Sequence, residues 1–381
     1  MSAVDRRRYL TGAKRLAVKL GTRVVLDPAG RIDESRLPAL AQEMAELKAG
    51  GMDVLVVTSG AVGSGLALLG MPRRVDDVSK RQAAAAVGQS ALMHEYDRLF
   101  SRHGQRVAQI LLTPDDIADR ERYLHIRNTI IALLEAGAVP IVNENDTVSV
   151  AGVTFGENDK LAALAAAATG ADVLIFLSQQ DAMYTADPTR DPSAERIPQV
   201  EPGDTGVMAL AGEAGDTATR GGMLAKLQAA RTAVAVGIAA VIASGDEPRV
   251  LHRILAGDDI GTFFVPAPIV SSRKSWIASA LTPEGRIIVD DGAKVALLHP
   301  DGASLLPSGV VDVVGSFRAG DLVIVADATG DEIGRGLVNY SAEEADRIKG
   351  VQSRQIKSIL GHSAHDEMVH RDNLVISMPR R

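Results

Sequence analysis

Over the first two-thirds of the chain, short β-branched and aliphatic runs alternate with longer Ala- and Leu-rich stretches. The runs predict strands at residues 16–20, 54–58, 107–112, 139–142, 173–177 and 240–243. The stretches between them predict helices at 36–49, 80–102, 122–136, 159–169 and 222–236, and Gly50-Gly51, Gly137, Gly170 and Gly237 fall where helix C-caps are expected. Such alternation predicts an α/β fold, an open and mostly parallel sheet sandwiched by helices. Ligands bind such sheets at the carboxyl ends of strands, so the residues that follow each strand are the ones to inspect.

Two segments break the rhythm. In "TVSVAGVTFGEND", Val148/Val150 and Val153/Phe155 flank Ala151-Gly152, which predicts a hairpin projecting beyond the sheet. Residues 203–220, rich in Gly, Asp, Thr and Ala, predict a flexible loop. Beyond them the pattern changes. From Gly285 to about Val338, short valine- and isoleucine-rich runs are separated by expected turns at Asp291-Gly292, Asp301-Gly302, Ala319-Gly320 and Thr329-Gly330. Strands so spaced predict a small β-barrel or sandwich, followed by a helix over 342–360. The expected organisation is a catalytic domain over 1–268, a linker over 269–282, a small β domain over 283–362 and a tail over 363–381.

The length of 381 residues suits two domains, and 46% hydrophobic against 23% charged residues is an ordinary globular balance. A net charge of −7 gives no basic footprint for nucleic acid or an anionic membrane. The absence of cysteine removes disulfides, thiolate metal sites and a cysteine nucleophile together. The most apolar run, 161–177, is interrupted by Thr169, Gly170 and Asp172, and no signal-peptide stretch follows the basic Arg6-Arg7-Arg8, so a cytoplasmic protein without a membrane span is expected.

Four segments carry candidate chemistry. In "AVKLGTRVVL" a strand ends at Lys19-Leu20-Gly21, placing a point charge and a bare backbone where phosphate oxygens can approach, although a solvated lysine before a turn is the bland alternative. In "VLVVTSGAVGSGLALLG" a strand runs through Ser59-Gly60 into a helix, an arrangement suited to an anion or simply to tight helix–strand packing. It matches neither the Walker A spacing nor the dinucleotide fingerprint. "VPIVNENDTV" sets Asn143 and Asp146 after a strand, and "FGENDKLAALAAA" sets Asn158 and Asp159 at a helix start. Capping explains one Asn-Asp pair but not two, whereas amides for a carboxylate and carboxylates for an ammonium suit an amino acid. In "TRGGMLAKLQAA", Gly221-Gly222 is expected at a helix start with Lys226 one turn inside, both able to face a phosphate. Two lysines and two glycine turns around one aspartate form an electrostatic clamp for a transferring phosphoryl group. No histidine or cysteine is placed as a base, and a carboxylate acceptor, already ionised at neutral pH, needs none.

With these residues assembled, the chain resembles the glutamate 5-kinases of the amino-acid kinase family. The motifs "VKLGT", "VVTSGAVGSG", "QAAAAVGQ", "DRERYLHIRNT", "VPIVNENDTV", "GENDKLAALAA", "YTADP", "GGMLAK" and "KLQAA" stand in the family's order over nearly the whole length, and the β domain begins where that family carries its PUA domain. The resemblance implies ATP-dependent phosphorylation of the γ-carboxylate of L-glutamate, the first step of proline biosynthesis. It implies that Lys19 and Lys226 contact the phosphates and that Asp159 orients them. Ser59, Gly60, Asn143, Asp146 and Asn158 would bind glutamate. Gly21, Ser178, Gln179, Arg220, Gly221, Gly222 and Met223 would join the lysines on ATP, with Mg2+ held mainly by the ATP phosphates. It further implies a homo-oligomer, proline as feedback inhibitor and handover to glutamyl phosphate reductase. The chain departs from the family at Gln179, where many relatives carry Asp, at Arg220, where Thr is usual, and at Leu224 and Ala225, which replace more polar residues. These departures bear on the nucleotide contacts more than on the reaction.

Competing readings differ in what they require. Acetylglutamate kinase lacks the C-terminal domain and accepts a capped amine, aspartokinase carries regulatory ACT domains, and UMP kinase needs arginines that "TSGAVGSG" does not offer. A catalytically weak sensor of glutamate or proline would fit Gln179 and Arg220. An RNA-binding regulator would need a basic PUA-like domain, yet residues 283–362 hold eight Lys/Arg against twelve Asp/Glu, so nucleic acid is not the expected partner.

Overall fold

A computed structural model describes residues 5–113, 116–117, 119–148, 157–204, 207, 217–267, 283–299, 303–362 and 365–376. The expected hairpin around Ala151-Gly152, the linker and most of the loop over 203–220 lie outside these residues. The chain divides into two compact units, Met1–Ile269 and Val270–Arg381.

The first unit is built on eight strands: β1 (Arg15–Leu20), β2 (Asp53–Val57), β3 (Val107–Leu112), β4 (Val139–Glu144), β5 (Val173–Ser178), β8 (Gln199–Val200), β9 (Ala239–Ser244) and β10 (Thr262–Phe264), in the order β3-β4-β2-β1-β5-β9-β10-β8. A separate antiparallel pair joins β6 (Met183–Tyr184) to β7 (Arg196–Ile197). From β3 to β9 every pairing is parallel; β10 runs antiparallel to β9, and β8 pairs parallel with β10 and shares its reversed direction. The six strands expected from sequence are all present; the centres of β1, β2, β4, β5 and β9 are buried because helices cover both faces of the sheet, while the edge strand β3 is only half-buried.

The period of two along β1 decides which layer each side chain meets. Leu16, Val18 and Leu20 enter one core with Leu37, Leu40 and Met44 of the Arg36–Ala49 helix and with Tyr96 and Phe100 of the Val78–Ser101 helix. Lys19 points to the opposite face. There the Ala-rich Glu157–Thr169 helix packs on β1, β2, β4 and β5, and beside the Thr217–Ala235 helix. The Val78–Ser101 helix is also clamped to the Ala61–Leu68 helix. A Cβ on Gly65 would stand 1.7 Å from the Ala84 carbonyl oxygen, and one on Gly88 would stand 1.8 Å from that of Ala61, so only glycine lets these backbones meet.

The second unit holds a mixed sheet, in the order β12 (Val310–Gly315), β11 (Gly285–Val289), β13 (Leu322–Ala326), β14 (Glu332–Leu337) and β15 (Leu374–Ile376). Three expectations need correction here. Asp291-Gly292 is not a turn between strands but the first turn of the Asp291–Leu298 helix, because the Asp290 carboxylate accepts from the Ala293 N–H and caps it. The helix expected over 342–360 is interrupted after Ile348 and resumes at Ile356. Residues 363–381, expected as a tail, supply β15, which pairs with β14, and Met368, Val369 and Leu374 enter the core.

Candidate active site

The carboxyl ends of β1, β2, β4 and β5 and the first turn of the Glu157–Thr169 helix bring most of the candidate residues together. At the centre, Lys19 Nζ lies 2.6 Å from Asp159 Oδ1, and Lys226 Nζ lies 3.7 Å from Asp159 Oδ2. All three side chains are buried, Asp159 to 2% exposure. Two cations share one anion here, leaving a net positive charge in a poorly solvated place. Burial pushes the Lys226 ammonium below its ordinary pKa; Asp159 opposes that shift and Lys19 adds to it. The Lys19–Asp159 contact is close in distance, yet Asp159 Oδ1 has no aligned hydrogen bond.

Lys226 reaches back one turn along its own helix to donate to the Gly222 carbonyl at 3.1 Å. That helix begins at Thr217, so Gly221 and Gly222 lie inside it and are not its start. The expected contribution of a helix N-terminus at Gly221 is therefore corrected: the site receives Lys226 from within the helix. Arg220 and Met223 lie on the same helical segment.

The second cluster is made of amides. Asn158 follows the first residue of its helix, but its side chain does not cap that helix. Its Oδ1 accepts from the Glu144 backbone N–H at 3.2 Å, and its Nδ2 donates to Asn143 Oδ1 at 3.1 Å and to Ser59 Oγ at 3.3 Å. Asn143 Nδ2 in turn donates to Gln89 Oε1 at 2.8 Å. Gln89, from the Val78–Ser101 helix, is the member that the sequence reading left unassigned; the motif "QAAAAVGQ" contains it, but an amide on a helix ordinarily reads as a surface residue. Asp146 sits half-buried in the turn after β4. Gly60, with φ of 104°, adopts a backbone conformation that favours glycine and starts the Ala61–Leu68 helix directly after Ser59.

The third group lies beside the lysines. Gly21 follows β1, and its N–H donates to the Leu177 carbonyl at 3.0 Å. Ser178 Oγ accepts from the Gln180 N–H at 3.2 Å, and Gln179 Oε1 accepts from Arg23 at 3.0 Å. Where a carboxylate would form an ion pair with Arg23, Gln179 forms a neutral-acceptor bond and leaves the guanidinium charge uncompensated by that partner.

The three groups follow one line across the sheet edge: amides at β4 and β2, lysine at β1, glycine and serine turns at β1 and β5. Comparison with known proteins identifies the family of each unit. Residues 14–244 match the amino acid kinase family, and residues 285–360 match the PUA domain. Glutamate 5-kinase of Methylococcus capsulatus is 45% identical over 97% of this chain and 99% of its own. Glutamate 5-kinase of Cupriavidus taiwanensis is 44% identical over 96% of this chain and 98% of its own, and that of Moorella thermoacetica 44% identical over 99% and 100%. The chain belongs to the amino acid kinase family and, within it, to the glutamate 5-kinases.

Proposed function

We propose that the protein transfers the γ-phosphoryl group of ATP to the side-chain carboxylate of L-glutamate, the first committed chemistry of proline biosynthesis. The observation that carries the reading is the buried Lys19–Asp159–Lys226 set beside an amide cluster on one sheet edge. Phosphoryl transfer asks little covalent chemistry of a protein; it asks for positioning and for charge placed where the moving group becomes most anionic. Lys19 and Lys226 supply that charge, and Asp159 holds them apart and in place. The acceptor carboxylate is ionised at neutral pH and needs no base.

Two ammonium groups and one carboxylate suit phosphate oxygens better than a bare cation. Magnesium, in this reading, is carried mainly on the ATP phosphates and offsets their charge there. ATP lies over the Gly21, Ser178-Gln179 and Gly222–Lys226 side of the lysines. Glutamate lies over Ser59, Asn143, Asp146 and Asn158, with Asp146 facing the substrate ammonium.

A cytoplasmic homo-oligomer, inhibition by proline and delivery of the labile acyl phosphate to a reductase belong to the same reading by family resemblance. No described helix is long and apolar enough to cross a membrane. The reading is tested by ADP release with L-glutamate and with N-acetylglutamate. Turnover of the free amino acid, with the acetylated one at least tenfold poorer in kcat/KM, is expected. Equal kcat/KM would move the protein to the acetylated branch, and no turnover with either would leave a sensor.

A further inference from the structure

The amide cluster has a direction, and its direction identifies a ligand contact. A backbone N–H is a donor only, so the Glu144 N–H, 3.2 Å from the Asn158 side chain, requires the oxygen of that amide to face it. Asn158 must then present its NH2 to Asn143, which must receive it on Oδ1 and present its own NH2 to Gln89. Gln89 receives on Oε1, so its Nε2 is the outgoing donor at the far end. Flipping any one amide would set two donors or two acceptors against each other. The orientation is thus fixed by the backbone rather than chosen amide by amide.

That last donor has no acceptor among the described residues: Gln89 Nε2 is buried and unpartnered, on a side chain only 7% exposed. A buried amide donor without an acceptor is costly, and proteins seldom leave one unless something else completes it. The other end of the relay is a donor too. Ser59 Oγ accepts from Asn158, which leaves its hydroxyl hydrogen to give. Two donors left over at the ends of the relay, with no countercharge of their own, fit an anionic acceptor with several lone pairs, a carboxylate.

We propose that Gln89 Nε2 donates to the α-carboxylate of the amino-acid substrate; this rests on the glutamate reading above. The phosphoryl acceptor must lie at the lysines on β1. Asn143 stands on β4, two strands away across the sheet (β1-β2-β4), or about 10 Å at the usual strand spacing. The carboxylate that meets Gln89 is therefore the non-reacting one. Gly88 and Gly65 give the relay its reach, because only their missing Cβ atoms let the Gln89 helix lie against the Ala61–Leu68 helix and bring Gln89 to Asn143.

The discriminating variant is Gln89→Glu. It keeps an oxygen for Asn143 Nδ2 and replaces the outgoing donor with an ionised acceptor that would repel a carboxylate. The expected result is a rise of about 10- to 100-fold in KM for L-glutamate, the usual range for a hydrogen bond to a charged group, with KM for ATP changed less than about threefold. Gln89→Leu should behave alike if it folds. With 4-aminobutanoate, which is glutamate without its α-carboxylate, wild type and Gln89→Glu should have the same kcat/KM. An unchanged KM for L-glutamate would mean that water satisfies the amide, and an equal loss with both substrates would mean a structural role; either overturns the assignment. Wild-type protein that fails to turn over glutamate would instead overturn the functional reading itself, so the two failures are distinct.

Discussion

Lys226 holds Asp159 loosely, at 3.7 Å, while Lys19 holds the same carboxylate at 2.6 Å. Lys226 also bonds the Gly222 carbonyl of its own helix, so its ammonium has two partners, whereas Lys19 sits closer to the carboxylate without an aligned hydrogen bond. The two lysines are thus not equivalent: Lys19 lies closer to the carboxylate, and Lys226 is divided between it and a backbone carbonyl. In the proposed transfer both neutralise charge that grows in the transition state. Lys19→Ala and Lys226→Ala should each lower kcat by about 10²–10³ while leaving KM for glutamate within about threefold. Steady-state kinetics check this, and near wild-type kcat in either variant removes that lysine from the mechanism.

Burial holds the Lys226 ammonium below its ordinary value of 10.5. Its charge is present at pH below that lowered pKa and lost as pH rises through it. The profile of kcat/KM for ATP, which reports the free enzyme, should therefore fall on the alkaline side earlier than an ordinary lysine would make it fall. Bound phosphates favour the protonated form, so the alkaline fall in kcat should come at higher pH. Asp159→Asn should move the first limb further toward neutrality. Stability runs the other way: the unfolded chain keeps this proton up to 10.5, so the cost of burying the charged form is relieved as pH rises between the folded and unfolded values. A kcat/KM limb at or above the ordinary lysine range would contradict the assignment.

Asp146→Ala should mainly raise KM for glutamate, because an ammonium partner is held equally in ground and transition states. KM for ATP should stay within about twofold. If ATP binding weakened instead, the division of the cleft into an amide side and a phosphate side would be wrong.

Gly88→Ala inserts a methyl group 1.8 Å from the Ala61 carbonyl oxygen, which neither helix can accept without moving. A loss of about 1–3 kcal/mol is expected in denaturant unfolding, with a higher KM for glutamate because Gln89 and Ser59 ride on the displaced elements. Wild-type stability in this variant would show that the helices separate at little cost.

A chain ending near Ala280 should fold and release ADP with glutamate. The core of the first unit is complete in residues before 266, and the second unit has a core of its own. The full chain should show no salt-sensitive binding to structured RNA at physiological salt, given the acidic excess of residues 283–362. A soluble, folded but inactive truncation would assign the second unit a part in catalysis.

Six strands of the first unit were legible because each is a short apolar run bounded by a turn residue, and β1 to β5 begin and end within two residues of expectation. Lys19 was legible for the same reason, as the last polar residue before a glycine turn. Three things were not. β10 runs antiparallel over only Thr262–Phe264, too short to show a period. Gly221-Gly222 reads as a helix start, yet helical hydrogen bonding extends through it to Thr217. Gln89 could not be seen as part of the site, since its partner Asn143 lies 54 residues away and only the meeting of two glycines makes them neighbours.

The place of β1 in the sheet has a bearing on how the protein is made. β1 is synthesised before the other strands of its sheet and ends in the middle of it, where Leu16 pairs with Val54 on one side and with Val173 on the other. Growth then proceeds outward on templates already synthesised: β2 on β1, β4 on β2, β5 on β1, β9 on β5. β3 and β8 are exceptions, for they pair with β4 and β10, strands not yet translated when they emerge. Until Val173 is made, one flank of β1 is an apolar edge with no partner, the kind of edge that recruits other chains. A nascent chain stalled between β4 and β5 should therefore be the species most dependent on a chaperone.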